Sequence, residues 1–115
     1  RIPASAKANT AEGLETAWKM LETAVAAPKP QSRIDALAAL GTLGGFPRTE
    51  TMLESAAKDA DRDVRIAAIV AIGFTHDHNL IPLLRQTLDD PAPDVSFAAA
   101  AAMFASISSR ESPVG

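Results

Sequence analysis

The sequence has no cysteine and no tyrosine among its 115 residues, and aromatic residues make up only 4% of it. Without cysteine the chain has no disulfide, no thiolate metal site and no cysteine nucleophile. No apolar run is long enough to predict a membrane span. The formal net charge is −3, from 11 basic and 14 acidic residues, and no basic stripe is visible. This balance argues against a surface for nucleic acid.

The apolar residues amount to 47% of the chain, and many of them are alanine. Alanine favours helix more than any other residue and lets neighbouring helices approach closely. Apolar residues recur at helical spacing, as in Leu14, Trp18, Leu21 and Val25, and no segment alternates in the way of a strand. The composition therefore predicts an all-α fold.

One segment of the sequence is repeated. Residues 20–24 (MLETA) return 32 positions later as residues 52–56 (MLESA). The same offset carries residues 33–41 onto residues 65–73, with Arg, Ile, Ala and Gly in matching places. A fixed period of this length is typical of a solenoid built from one supersecondary unit.

The pattern predicts a single domain over residues 1–115, formed as a short right-handed α-α superhelix of antiparallel helix pairs. Prolines, Asp61 as an N-cap and glycine-containing turns separate the units. Residues 1–9 and 108–115 are expected to be flexible. Six helices are predicted, at about 12–26, 30–43, 48–58, 62–74, 79–88 and 93–107.

Two consecutive segments, residues 61–73 (DRDVRIAAIVAIG) and 80–90 (LIPLLRQTLDD), resemble a HEAT repeat. They resemble most the short variety found in phycobilisome-lyase-like and other bacterial HEAT proteins. The resemblance implies helix pairs whose second helices line a groove. It also implies that Arg65 contacts the acidic linker of a neighbouring unit, through Asp61, Asp90 or Asp94.

The sixth helix departs from this family pattern. Ser96 stands where the repeat has an arginine, and Phe104 stands where it has a glycine. The array starts on the second helix of one pair and stops on the first helix of another. We therefore expect a fragment of a longer protein. Part of the apolar side of the sixth helix then lacks a partner helix. Either further repeats cover it, or the chain forms a homodimer through Phe97, Met103 and Phe104.

A HEAT-like fold predicts a non-catalytic module for protein–protein interaction or scaffolding, with a protein or peptide of some positive charge as the partner. The predicted binding residues lie on the second helices of the pairs, at about 12–26, 48–58 and 79–88. They are Glu22, Glu50, Glu54, Arg85 and Gln86. One alternative is an accessory subunit of a phycobilin-lyase-like or other protein-maturation enzyme. Another is a groove for nucleic acid, which the acidic balance disfavours. Nothing in the sequence indicates a cofactor or a compartment.

Few residues suggest chemistry. His76, Asp77 and His78 are the one cluster with metal-ligand character, but a further ligand would be needed, and we interpret them as a polar loop between two helices. No nucleophile elbow, phosphate loop or zinc-protease motif is present, so an enzyme acting alone is not predicted. Trp18 either anchors a partner or packs inward against Leu37 and Leu40.

Overall fold

A computed structural model describes the backbone of residues 4–110 and the side chains of residues 10–107. This part of the chain is helical and contains no strand. A short 3-10 turn, His78–Leu80, leads into the fifth helix. The six helices are α1 (Ala4–Val25), α2 (Pro30–Leu40), α3 (Pro47–Ala56), α4 (Arg62–Thr75), α5 (Ile81–Thr87) and α6 (Pro93–Arg110).

The helices form two layers in a slab that measures 51 × 46 × 18 Å. The even-numbered helices lie side by side, with α4 between α2 and α6, and make the most extensive contacts. Each odd-numbered helix packs mainly on the even-numbered helix that follows it. The arrangement confirms the predicted α-α solenoid. Of the helices described, none is both long enough and apolar enough to span a bilayer.

Local sequence explains where the helices begin. Asp61 caps α4, because its carboxylate accepts hydrogen bonds from the backbone N–H groups of Asp63 (2.8 Å) and Val64 (3.2 Å). This cap confirms the prediction. Helices α2 and α3 have no side-chain cap and instead begin with Pro30 and Pro47, whose fixed φ suits a first helical turn.

Helix α2 ends at Leu40, three residues before its predicted end, and two other helices extend into segments that were expected to be flexible. Helix α1 begins at Ala4, within the segment 1–9 that was expected to be flexible, because its alanines favour helix. Helix α6 likewise continues to Arg110, inside the predicted flexible segment 108–115. Residues 1–3 and 111–115 lie outside the described part of the chain.

The turn before α5 also differs. The turn is capped by Asp77, which accepts from the Asn79 backbone N–H at 3.0 Å. Residues 78–80 therefore form a 3-10 turn, and the α-helix is shorter than expected.

The even-numbered helices approach closely because small residues recur between them. Ala36, Ala68 and Ala99 hold the same repeat position and are all buried. A Cβ atom added at Gly41 would lie 3.3 Å from the Ala71 Cα, and one at Gly73 would lie 3.3 Å from the Ala102 Cβ. Gly41 and Gly73 thus lie where α2 and α4 each contact an alanine of the next even-numbered helix.

Replacing one of these alanines should disturb the stack. Ala68 is 0% exposed, so Ala68→Leu would insert three extra carbon atoms between packed helices. We expect the free energy of unfolding to fall by about 2 kcal/mol in urea denaturation. Ala39→Leu, on the exposed side of α2, is the control and should change little. An unchanged urea midpoint for Ala68→Leu would show that Ala68 does not lie in a close contact between helices.

Candidate protein-binding face

Two arginines link successive repeat units. Arg33 pairs with Asp59 at 3.0 Å, and Arg65 pairs with Asp90 at 2.9 Å. Each arginine also donates to a carbonyl of the linker before its own helix, Arg33 to Ala27 (2.7 Å) and Arg65 to Asp59 (3.0 Å). The expected contact of Arg65 with an acidic linker is confirmed, with Asp90 as the partner. These bonds fix one unit against the next.

The environment of Asp90 favours its charged form. Burial alone would raise the pKa of this carboxyl group, but the backbone N–H of Ala92 and the Arg65 guanidinium outweigh it and lower the pKa below its ordinary 3.8. The Ala92 N–H lies 2.9 Å from the carboxylate. The pair is therefore charged at neutral pH.

The exposed side of α1, α3 and α5 is here called the odd-helix face. Glu22, Glu54 and Arg85 hold the same repeat position on these three helices and form a row across it. Glu22 accepts a hydrogen bond from Arg48 at 3.0 Å. Glu54 and Arg85 are exposed, and neither side chain makes a hydrogen bond or ion pair within residues 10–107. All the predicted binding residues, Gln86 and Glu50 included, lie on this face.

Arg48 holds α1 against α3, and the sequence analysis did not identify it. Its guanidinium donates to Glu15 (2.9 Å) and Glu22 (3.0 Å), and lies 5.3 Å from the centre of the Trp18 ring. Hydrogen bonding to Arg48 lowers the pKa of Glu15. No other unit has an arginine at this repeat position, so the periodic pattern gave no signal for it.

Trp18 lies at the edge of the hydrophobic core. It is half-buried and packs against the core, as the inward alternative predicted. Its ring also meets Phe46 edge to face, with 5.5 Å between the ring centroids. This contact closes the loop between α2 and α3 over α1.

Carboxylates gather near the middle of the odd-helix face. Hydrogen-bonding contact with the Asp77 carboxyl group raises the pKa of Glu50 above its ordinary 4.5, and the charge of Glu54 adds to this. The Asn79 side chain, which donates to Glu50 at 3.1 Å, acts in the opposite direction. The raised pKa indicates a local excess of negative charge.

Two grooves on this face repeat one another. One lies between α1 and α3 and has a volume of about 330 Å³; the other lies between the linker that follows α3 and α5, and has a volume of about 410 Å³. Equivalent residues line them. Three pairs show the correspondence: Met52 and Leu83, Ser55 and Gln86, Asp59 and Asp90. The solenoid therefore presents the same shape twice, one unit apart.

The candidate metal ligands are not assembled into a site. Asp77 caps the turn and contacts Glu50, whereas His76 and His78 are exposed. His76 has a left-handed backbone with φ of 52°, which turns the chain out of α4. Within the described side chains, no three His, Asp or Glu residues are placed to hold a metal ion. The loop in this structure is a turn between two helices.

A different groove lies in the layer of even-numbered helices, between α4 and α6. Its volume is about 340 Å³ and its lining is almost wholly apolar. Phe74 stands beside it and is 70% exposed, with Val70 as its neighbour on the same helix. Alanines of α6 form the opposite wall, so the groove is shallow and open.

The family model for HEAT repeats matches residues 17–104, which is most of the chain and covers all six helices in whole or in part. The chain therefore belongs to the HEAT-repeat family. Proteins with these repeats generally bind other proteins and are typically non-catalytic, which agrees with the solenoid and its repeated grooves. A search of the curated proteins found no match.

Proposed function

We propose that this chain is a non-catalytic protein-binding or scaffolding module that holds a protein or peptide against its odd-helix face. The observation that carries the proposal is the pair of grooves with equivalent lining residues, one between α1 and α3 and one between the linker after α3 and α5. A repeated groove suits an extended segment that places similar side chains one unit apart. Neighbouring helices lie about 10 Å apart, so every third residue of an extended chain would meet a groove.

The chemistry of the partner follows from charge. Glu50 and Glu54, with Asp77 beside them, form an acidic centre, and the contact with Asp77 raises the pKa of Glu50. A bound lysine or arginine would relieve that repulsion. We therefore propose a partner segment with basic side chains, and the positive charges of Lys58 and Arg85, which repel such side chains, would set its register.

Fluorescence anisotropy with two labelled 12-residue peptides tests this proposal. One peptide carries lysine at every third position, and the other carries glutamate there. We expect the lysine peptide alone to bind, and Glu54→Lys to weaken it about tenfold because a charge is reversed at the centre of the row.

Asp35→Lys is the matched control. It makes the same charge reversal at an exposed position of α2, in the other layer. Its affinity for the lysine peptide should stay within about twofold of the parent, since charges more than about 10 Å apart are screened at physiological salt. Equal losses from both variants, or equal binding of both peptides, would contradict a specific odd-helix site.

A second candidate function is an accessory subunit of a phycobilin-lyase-like or other protein-maturation enzyme. The observation in its favour is the apolar groove beside Phe74, which has room for part of an apolar ligand. Titration with a linear tetrapyrrole, followed by absorbance, tests it. Saturable binding that Phe74→Ser removes would favour this candidate, whereas binding of duplex DNA that weakens with salt would favour the nucleic-acid alternative.

A further inference from the structure

Helix α6 lacks both features by which α2 and α4 hold the unit that follows them. Phe104 occupies the repeat position of Gly41 and Gly73. Ser96 occupies the position of Arg33 and Arg65, and its hydroxyl donates to the Pro93 carbonyl of its own helix at 2.9 Å. The side of α6 turned away from α4 therefore differs in kind from the corresponding sides of α2 and α4.

This side of α6 is apolar and uncovered within the described chain. It is here called the α6 face and consists of Phe97, Ala100, Ala101 and Phe104, which correspond to Ile66, Ile69, Val70 and Gly73 of α4. Ala101 lies at its edge, since it also lines the groove between α4 and α6. Phe97 is 71% exposed and Phe104 is 72% exposed. Leu88 and Ile107 extend the surface and, with Met103, line a shallow apolar groove of about 260 Å³.

Another helix cannot cover the α6 face in the way that α6 covers α4. In that contact, the Cβ of Ala102 would lie 3.3 Å from a Cβ added at Gly73. Phe104 holds the position of that glycine, so a helix packed in the same way would meet a phenyl side chain where α4 has none, and a close-packed contact does not accommodate so large a group. Whatever covers the face must therefore approach in another orientation.

The spacing of the α6 face reads the same in both directions along the helix: phenylalanine, two residues, alanine, alanine, two residues, phenylalanine. When two copies cross antiparallel between Ala100 and Ala101, each Phe97 meets the partner's Phe104 and the alanines meet at the closest point. A two-fold interface requires this self-complementarity. We propose that the chain forms an antiparallel homodimer through the α6 face.

The available area fits a weak dimer. A phenylalanine side chain can bury about 200 Å², and more than two thirds of Phe97 and Phe104 is exposed here. With Leu88, Ile107 and the alanines added, the exposed apolar area is on the order of 500 Å² per copy. The total of about 1,000 Å² is near the lower limit for a specific interface. The contact would continue the layer of even-numbered helices into the second copy. It goes beyond the proposed function and leaves the odd-helix face free.

Sedimentation velocity of the 115-residue chain at about 5 to 500 µM tests the proposal. We expect a reversible monomer–dimer equilibrium, and Phe104→Asp should leave only monomer. Phe74→Asp is the matched control, since Phe74 is 70% exposed but lies outside the α6 face. A parent chain that is monomeric throughout, or a Phe74→Asp variant that loses the dimer as Phe104→Asp does, would overturn the proposal.

Two double variants test the antiparallel orientation. Phe97→Asp/Phe104→Lys places opposite charges face to face across the two-fold axis, so it should dimerise at least tenfold more tightly than Phe97→Asp/Phe104→Asp. Circular dichroism confirms that both retain helix. Equal association of the two variants would rule out this pairing.

Disulfide cross-linking tests the interface with a small substitution, alanine to cysteine. The chain has no native cysteine, so any cross-link must form at the introduced one. Mild oxidation should join Ala101→Cys into a covalent dimer and leave Ala39→Cys, on the exposed side of α2, monomeric. Equal cross-linking of the two variants would show random collision and not a defined interface.

Discussion

Arg65→Ala is expected to lower the free energy of unfolding by about 3 kcal/mol. The Arg65 and Asp90 side chains are only 16% and 9% exposed, and the guanidinium also donates to the Asp59 and Ala60 carbonyls. Removing it leaves a largely buried carboxylate and two carbonyl groups without their partner, and such losses cost about 3 to 5 kcal/mol when burial is complete. Urea denaturation monitored by circular dichroism gives the value.

Arg62→Ala is the matched control for that experiment. Arg62 lies on the same helix and pairs with Asp94 at 3.3 Å, but its side chain is 57% exposed. Exposed pairs contribute about 0 to 1 kcal/mol, so this variant should lose less than about 0.5 kcal/mol. If the two arginine variants were equally stable, the link between units would not depend on the buried pair.

The pH dependence of stability should also change in the Arg65→Ala variant. Because the folded structure lowers the pKa of Asp90, the ionised carboxylate stabilises the fold above its ordinary pKa of 3.8. That contribution is lost as the pH falls through the lowered value. Arg65→Ala removes one cause of the lowering, so its stability should decline less steeply over this acidic range than that of the parent chain.

The repeated sequence was sufficient to predict the fold. Its period predicted six helices, and the alanine that recurs at the position of Ala68 indicated the packing face. Asp61, just before an apolar run, indicated a helix start, and the structure confirms both. Such residues act locally or through contacts that recur in every unit. A sequence with an internal repeat therefore carries evidence for its own architecture.

Features that occur once were harder to predict. The extension of α1 back to Ala4 rests on local helix propensity alone, and the start of α5 depends on Asp77, which caps the turn before it by accepting from the Asn79 backbone N–H. Arg48 contacts two residues of α1 that precede it by 33 and 26 positions. No periodicity predicts that contact, because only the folded chain brings these helices together.

The sequence was enough to predict which residues lie on the candidate binding face. It was not enough to predict the contacts that these residues make with one another. The sequence placed Glu50 and Glu54 on one side of α3 by helical spacing, and the structure adds Asp77 from the next loop. The resulting repulsion, which raises the pKa of Glu50, depends on side chains brought together across units. The equivalence of the two grooves likewise became visible only when linker residues joined helix residues around each one.

Gly44→Ala is expected to destabilise the fold by about 3 kcal/mol, because Gly44 lies against the end of α4. A Cβ atom added there would lie 2.4 Å from the carbonyl oxygen of Thr75 and 3.2 Å from its Cβ. Backbone atoms cannot rotate away as a flexible side chain would, so the loop between α2 and α3 must shift. The Thr75 hydroxyl, which donates to the Ile72 carbonyl at 2.6 Å, holds the opposing residue in place.

Gly13→Ala makes the same substitution where space is free. Nothing lies within 4 Å of a Cβ added at Gly13, which is exposed in the middle of α1. Alanine favours helix over glycine by about 1 kcal/mol, so this variant should be more stable than the parent by roughly 0.5 to 1 kcal/mol. Thermal unfolding followed at 222 nm should therefore move the two midpoints in opposite directions. A Gly44→Ala midpoint at or above that of the parent would mean that the end of α4 yields to the loop, and that the close contact does not hold the two units together.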